Sequence, residues 1–475
     1  MKNKLPLALS AVVAGGFFCI LAAQTAPAPA PAADSAAASA PAAASGGRGR
    51  GAGRPAPGPQ AIGGIQADVT TSAYKFFFGP GDAPAGFSKV TPTSVYNDKV
   101  GYGFEPGATI TMINQKVAGK PDLNIAVADK VFFFSTALPE GNYKVTFTLG
   151  NPDAPTNVSV KAESRRLMLE NIQTKAGEYV TKSIIVNTRR PSFPGGVVNL
   201  KATRESIQEA WDWDNGLTLE FNGEKPSISN FQIEKVDVPT VFVIGDSTSC
   251  DQSGEPFNSW GQSICRFFKP EVAVANHGES GETIGDCLSR RRFDKIWSVM
   301  NPGDYILVTS GHNEPHGKDG SMTFDQRFYD DCKRVVAETR AHGGIPVMVS
   351  PISRAPGGPI LGPYPDELRR VATEEKIAFI DLNGQTAIFY KSVPDFHVIF
   401  ASKTEATHTG NYGSYEVSKM IMMGLKQNNL PLAKFIVDDF KDFDPAKPDA
   451  FESYKVAPTP RKSAAAAAAA IPDGN

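Results

Sequence analysis

Val241-Phe242-Val243-Ile244-Gly245-Asp246-Ser247-Thr248 decides how this chain is read. Four apolar residues, three of them β-branched, run straight into glycine, aspartate and serine. A short apolar run that stops at a glycine is the pattern of a buried parallel strand followed by a sharp turn. In open α/β sheets the residues just past a strand's carboxyl end line the ligand crevice. Ser247 therefore stands where a nucleophile would be useful, and the question becomes whether the chain supplies a base and oxyanion donors for it.

Downstream the pattern alternates. Strands are expected at 241–244, 272–275, 305–309, 345–349 and 377–380. Helices are expected at 260–268, 286–299, 324–341, 367–375 and 412–426. Strands alternating with helices at this spacing predict a parallel sheet covered on both faces, a three-layer α/β/α domain over 240–435.

Upstream, over 67–236, the character differs. Phe76-Phe77-Phe78, Thr109-Ile110-Thr111, Val131 to Phe134, Tyr143 to Thr148, Val158-Ser159-Val160, Lys182 to Val186 and Leu217 to Phe221 are short and rich in aromatic and β-branched residues. Turn signals such as Pro139-Glu140-Gly141-Asn142 and Asn222-Gly223 separate them, and no long helical pattern intervenes. The expectation is an all-β sandwich, jelly-roll-like. Arg165 and Arg166, or Trp211 and Trp213, would serve as a sugar-binding face; packing of the tryptophans at a strand edge or against the second domain is the favoured reading.

The ends are different again. Lys2 and Lys4 precede an apolar stretch with small residues before Gln24, the pattern of a secretory signal peptide over 1–23. Residues 24–66 are mostly Ala, Pro, Gly and Ser and are expected to form a disordered linker. Residues 444–475, with several prolines and an alanine run, are expected to be a disordered tail. A secreted or periplasmic protein follows, with no stable membrane association after cleavage. The net charge of −2 offers no electrostatic footprint for nucleic acid. Outside the leader, Cys250, Cys265, Cys287 and Cys332 leave disulfides and buried free thiols both open.

Four short stretches fall at or after the expected strand ends of the α/β domain: Gly245-Asp246-Ser247-Thr248, then Asn276-His277-Gly278-Glu279-Ser280-Gly281-Glu282-Thr283, Gly311-His312-Asn313-Glu314, and Glu405-Ala406-Thr407-His408 before the last helix. In this order they resemble the four blocks of the SGNH, or GDSL-like, hydrolases, and the Gly-Asp-Ser-Thr and Gly-His-Asn forms look most like rhamnogalacturonan acetylesterases. The β-rich domain is similar to the galactose-binding-like modules attached to some of those enzymes. The resemblance implies oxyanion donors at the Ser247 amide, the Gly281 amide and the Asn313 side chain.

The chemistry is coherent on its own terms. A serine hydroxyl is a poor nucleophile until a base takes its proton, and histidine suits that exchange. Of six histidines only His408 follows a carboxylate, Glu405, by three residues. His277, His312 and His316 are placed near the same crevice, with His312 supporting the loop, and His342 and His397 are expected on the surface. The resembled family carries aspartate where this chain has Glu405. A Ser-His pair held by a main-chain carbonyl, or Asp395 as the acid, are the alternatives. Asp246 tightens the nucleophile turn. No Cys or His pair has ligand spacing, so neither metal nor cofactor is expected.

The expected function is an exported serine esterase that removes acetyl groups from a pectic polysaccharide such as rhamnogalacturonan, using Ser247, His408 and Glu405. Other acylated carbohydrates, a lipid ester, or an inactive carbohydrate-binding protein are the alternatives.

Overall fold

The structure, a computed structural model, describes residues 64–65, 67, 69–116, 122–314, 325–358 and 361–460. The expected signal peptide, nearly all of the linker, His316 and the end of the tail lie outside the described residues.

Among the described residues the β-rich part contains two large sheets and a two-stranded ribbon of Ser192–Phe193 and Gly196–Val197. One has seven strands, among them Ala73–Phe77, Gly141–Leu149, Val180–Thr188 and Ser227–Lys235. The other has the order Tyr102–Phe104, Phe132–Ala137, Gly216–Glu224, Thr156–Ala162, Arg166–Thr174 and is antiparallel throughout. Aromatic side chains join the facing sides: Phe76 meets Phe134 at 5.0 Å between ring centres, and Phe147 meets Phe221 at 5.3 Å, both edge to face. Such pairs add to what area burial alone contributes.

Two expectations about this part are corrected. Asn222-Gly223 is not a turn but lies inside the strand Gly216–Glu224. Gly223 has φ +126°, and a Cβ there would stand 2.1 Å from the Asn157 carbonyl oxygen, so the glycine permits close strand approach rather than reversal. Ile65, assigned to the linker, is buried at 2% exposure, and its amide donates to Asp214 Oδ2 at 2.8 Å.

The second part is built on five parallel strands: β1 Thr240–Ile244, β2 Ala273–Asn276, β3 Tyr305–Val308, β4 Ile345–Val349 and β5 Ala378–Ile380, in the order β2-β1-β3-β4-β5. The helices are α1 Trp260–Ser263, α2 Ile284–Ser289, α3 Arg292–Val299, α4 Gln326–Ala341, α5 Tyr364–Glu375, α6 Leu382–Ser392 and α7 Asn411–Gln427. Alternate residues of the strands enter different clusters. Val241, Val243, Leu307 and Val347 join Met420 and Ile421 of α7. Phe242, Ile244, Ile306 and Val308 join Phe293 of α3, Val335 of α4 and Leu368 of α5. With both sides of each strand apolar, the run in β1 is continuous rather than alternating.

The expected helix at 286–299 is interrupted. Arg291 adopts φ +65°, a left-handed conformation that ends α2 and allows α3 to start in a new direction. α6 has no counterpart among the expected helices; Asp381 caps it by accepting from the Gly384 amide at 3.0 Å.

The tail also departs from expectation over 444–460. Lys161, a buried ammonium in the β-rich part, donates to the Ala457 carbonyl and to Thr459 Oγ1, each at 2.8 Å. Thr459 Oγ1 in turn donates to Glu220 Oε2 at 2.7 Å. Proline and alanine content suggested a solvated chain, but a buried charge needs partners, and this segment supplies them. Ending the chain at Tyr454 should therefore lower unfolding stability by about 3 kcal/mol. Urea denaturation checks this; an unchanged midpoint would show that the segment contributes nothing to the fold.

Candidate active site

The site begins where β1 ends. A Cβ on Gly245 would stand 2.4 Å from Thr309 Cγ2 and 2.6 Å from Ser249 Oγ, so only glycine lets the chain turn there. Asp246 Oδ1 accepts from the Thr248 amide at 2.9 Å and from its hydroxyl at 2.8 Å, and the Asp246 carbonyl accepts from the amides of Ser249 and Cys250. These bonds tighten the turn and hold Ser247 at its crest.

His408 comes from the loop before α7. The Ala401 amide donates to the His408 carbonyl at 3.0 Å, and the Phe257 ring stands edge-on to the imidazole at 5.7 Å. His408 Nε2 lies 2.8 Å from Ser247 Oγ, across 161 residues of sequence. Both residues are buried, at 9% and 5% exposure. This is the distance a general base needs to a hydroxyl proton.

On the other ring nitrogen, Glu405 Oε2 stands 3.2 Å from His408 Nδ1. The contact is an ion-pair approach rather than an aligned hydrogen bond, since Nδ1 finds no acceptor of good geometry. The other carboxylate oxygen, Oε1, accepts from the amides of Ala406 and Thr407 at 2.9 Å and of His408 at 3.2 Å. The extra methylene of glutamate is thus absorbed by folding the carboxylate over its own loop. Burial would raise the Glu405 pKa, but His408 and these amides outweigh it and hold the group down at about 2. Asp395 is elsewhere, accepting from the His397 amide at the start of a short helical turn.

Gly281 has φ +71°, and Asn313 Nδ2 donates to the neighbouring Glu282 carbonyl at 3.2 Å. Asn313 thus reaches the Gly281 loop and keeps a second N–H for another acceptor. Among the described residues the amides of Ser247 and Gly281 meet no acceptor. His312 is buried behind the nucleophile turn. Burial, with Arg354 and His408 nearby, outweighs the pull of Asp246 and lowers its pKa to about 4, so it is neutral. His277 is not at the crevice: it is buried between Trp213 and Phe242, and its amide donates to the Val243 carbonyl. His342 Nδ1 lies 2.8 Å from the Glu338 carbonyl at the end of α4. Among the described residues the cysteines, Cys250, Cys265, Cys287 and Cys332, are buried and free.

The two arginines and the Trp213 ring considered for sugar binding are spent on internal contacts. Arg166 pairs with Asp251 at 2.8 Å and Asp212 at 3.2 Å, and Arg165 donates to the carbonyls of Gln252 and Phe257 and pairs with Glu255 at 2.8 Å. Trp213 lies against His277 and under Arg189. Sequence reading missed Gln252, whose Nε2 donates to the Ser247 carbonyl at 2.6 Å. Its partner Arg204, 3.0 Å from Gln252 Oε1, lies 48 residues upstream, beyond any local signal.

Comparison with known proteins gives four findings. Residues 74–182 match the family described as beta-agarase/YXIM esterase-like, galactose-binding domain-like. Over 222 residues the chain is 30% identical to the rhamnogalacturonan acetylesterase RhgT of Bacillus subtilis, covering 42% of this chain and 94% of that protein. It is 24% identical over 381 residues to the uncharacterized esterase YxiM of the same organism, covering 75% of this chain and 91% of that one. The crystal structure of the B. subtilis YxiM protein aligns with a TM-score of 0.39 at 20% identity, over 76% of this chain and 99% of that one.

Because Glu405 is held at about 2, it stays ionised throughout the range in which an esterase is assayed. Its folded pKa lies below the ordinary value of 4.5, so the stabilisation it provides is complete at neutral pH and is lost as pH falls through 4.5 towards 2. Glu405→Gln should lower kcat/KM at least about 100-fold. It should also move the acid limb of the pH profile to lower pH, since the imidazolium loses its neighbouring charge. A loss under about threefold with an unmoved limb would remove Glu405 from the machinery.

Proposed function

The chain belongs to the rhamnogalacturonan acetylesterase family of SGNH hydrolases, and we propose that it is an exported serine esterase removing acetyl groups from rhamnogalacturonan. In this reading a jelly-roll-like sandwich precedes a three-layer α/β/α hydrolase domain, and a leader over residues 1–23 directs the protein to the periplasm or the medium. One observation carries the mechanism: the 2.8 Å approach of His408 Nε2 to Ser247 Oγ.

His408 takes the Ser247 proton as Oγ bonds to the acetyl carbonyl carbon. The carbonyl oxygen becomes an oxyanion and is held by the amides of Ser247 and Gly281 and by the second side-chain N–H of Asn313. Collapse of this intermediate breaks the bond to the sugar oxygen, which leaves with the proton from His408. A water then attacks the acetyl-serine, giving its proton to His408. The second tetrahedral intermediate expels Ser247, which recovers that proton, and acetate departs. Glu405 balances the charge of the imidazolium in both halves.

The support for the polymer is the likeness to RhgT, whose name states it. Assays of acetate release from p-nitrophenyl acetate, acetylated rhamnogalacturonan and acetylated xylan test both parts. We expect release from the first two and none above background from Ser247→Ala, with N-terminal sequencing of exported protein starting at Gln24. Release from xylan in preference to rhamnogalacturonan would replace the substrate. No release by the folded wild type on any of the three would overturn the enzyme reading.

A further inference from the structure

We infer that Lys201, carried by the β-rich part of the chain, is a positioning residue of the oxyanion hole; the inference rests on the esterase reading above. The Lys201 ammonium donates to the Ser280 carbonyl. That carbonyl belongs to the same peptide plane as the Gly281 N–H. In a trans peptide the C=O and N–H point in opposite directions, so a partner that fixes the oxygen also fixes the aim of the amide. A cation on the carbonyl polarises the peptide as well, making its N–H a stronger donor.

The surroundings of Lys201 keep its ammonium in that place. It pairs with Glu282 at 2.9 Å, and Glu279 stands 3.8 Å away. Both carboxylates are buried, at 2% and 1% exposure, and they flank the Ser280–Gly281 peptide on either side. The Glu282 carbonyl in turn accepts from Asn313, the other proposed donor of this loop. A Cβ built on Gly281 would lie 3.7 Å from the ammonium, so Lys201 stands beside the glycine itself. The residue is part of a second grip on the same loops: Arg204 reaches Glu279 at 3.0 Å with Nε and Gln252 at 3.0 Å with Nη2, and Gln252 holds the Ser247 carbonyl.

Gly281 needs this help. Its left-handed backbone and lack of a side chain leave its peptide free to rotate. An oxyanion donor that turns away costs its share of the barrier, typically 10²–10³ in kcat when one donor is removed outright. Lys201, with a quarter of its side chain exposed, can be replaced without opening a cavity in the core.

Steady-state kinetics on p-nitrophenyl acetate of the full chain carrying Lys201→Met or Lys201→Arg, with wild type and Ser247→Ala alongside, test the inference. Lys201→Met should lower kcat about 10–100-fold with KM within about threefold and a melting temperature near that of wild type. Its affinity for a phenylboronic acid, which forms a tetrahedral adduct on serine, should fall by the same factor as kcat/KM. Lys201→Arg, which keeps the charge, should recover part of the loss. The parallel fall in boronate affinity is what a merely structural lysine would not give. Wild-type activity with Lys201→Met within twofold in kcat overturns the inference and leaves the esterase reading standing. A raised KM with unchanged kcat assigns Lys201 to substrate binding and overturns it equally. A folded wild type that neither hydrolyses the ester nor binds the boronate overturns both. Should Lys201→Met melt well below wild type, Lys201→Gln and Glu282→Gln replace it, with kcat expected to fall for each; kcat within twofold in both overturns the inference.

Discussion

Desolvated charge constrains this structure more than any single hydrophobic contact does. Arg166, Arg204 and Arg292 are buried, and each guanidinium needs carboxylates of the right reach. Arg292 meets Glu205 with two bonds of 2.9 and 2.7 Å, Arg166 meets Asp251 and Asp212, and Arg204 meets Glu209 and Glu279. A buried pair contributes little net stability, because desolvation offsets most of its attraction. Its effect is on geometry: a carboxylate that strays leaves an uncompensated charge, at a cost of about 3–5 kcal/mol. Two of these five pairs, Arg166 with Asp251 and Arg204 with Glu279, join the β-rich part to loops that carry the candidate active site, and Arg292 with Glu205 joins it to α3. The seam between the parts is therefore specified by charge matching, and the loops inherit that specification.

The division between what could and could not be read from sequence follows the same line. β1 was legible because a strand buried on both faces must be apolar throughout, and Gly245 to Thr248 were legible because the turn chemistry is local. Ser247 and His408 were legible as residue types in ordered blocks, and their 2.8 Å approach joins positions 161 residues apart. Arg165 and Arg166 misled for a physical reason. Two adjacent arginines on a strand look like an exposed face, and nothing local announces that Asp212, Asp251 and Glu255 will close over them. The strand Arg166–Thr174 was missed with them. His277 misled in the opposite sense: its block lies at the strand end, yet the ring turns into the core against Trp213 and Phe242. α6 and the segment 444–460 were hidden by Gly and Pro, whose usual meaning was overridden by a cap and by a buried lysine.

The glutamate at position 405 illustrates how a longer side chain can occupy a place usually given to aspartate. Aspartate presents its carboxylate close to the backbone, so both oxygens are directed by one rotamer. Glu405 spends one oxygen on three successive amides and leaves the other 3.2 Å from His408. The three amides fix the carboxylate as firmly as a shorter stem would. The contact to Nδ1 is then set by the loop rather than by the side chain. Charge complementarity to the imidazolium survives, while the alignment of a strong hydrogen bond does not.

A site that must bind a developing oxyanion faces a contradiction. Its donors have to remain open, yet open polar groups tend to find partners within the protein or collapse towards them. The amides of Ser247 and Gly281 escape this because their own peptide planes are held from the far side. The Asp246 carbonyl, in the plane of the Ser247 N–H, accepts from the amides of Ser249 and Cys250, and Lys201 bonds the Ser280 carbonyl, in the plane of the Gly281 N–H. Lys201 is itself anchored by the glutamates 279 and 282, and Arg204 grips Glu279 from the other side. Preorganisation of this kind costs nothing at the moment of reaction, since the dipoles do not have to turn. It does require rigid support behind each donor, and here the β-rich part supplies the cations of that support. The β-rich part thus acts on the chemistry through the back of one peptide bond, with no side chain of its own needed in the crevice.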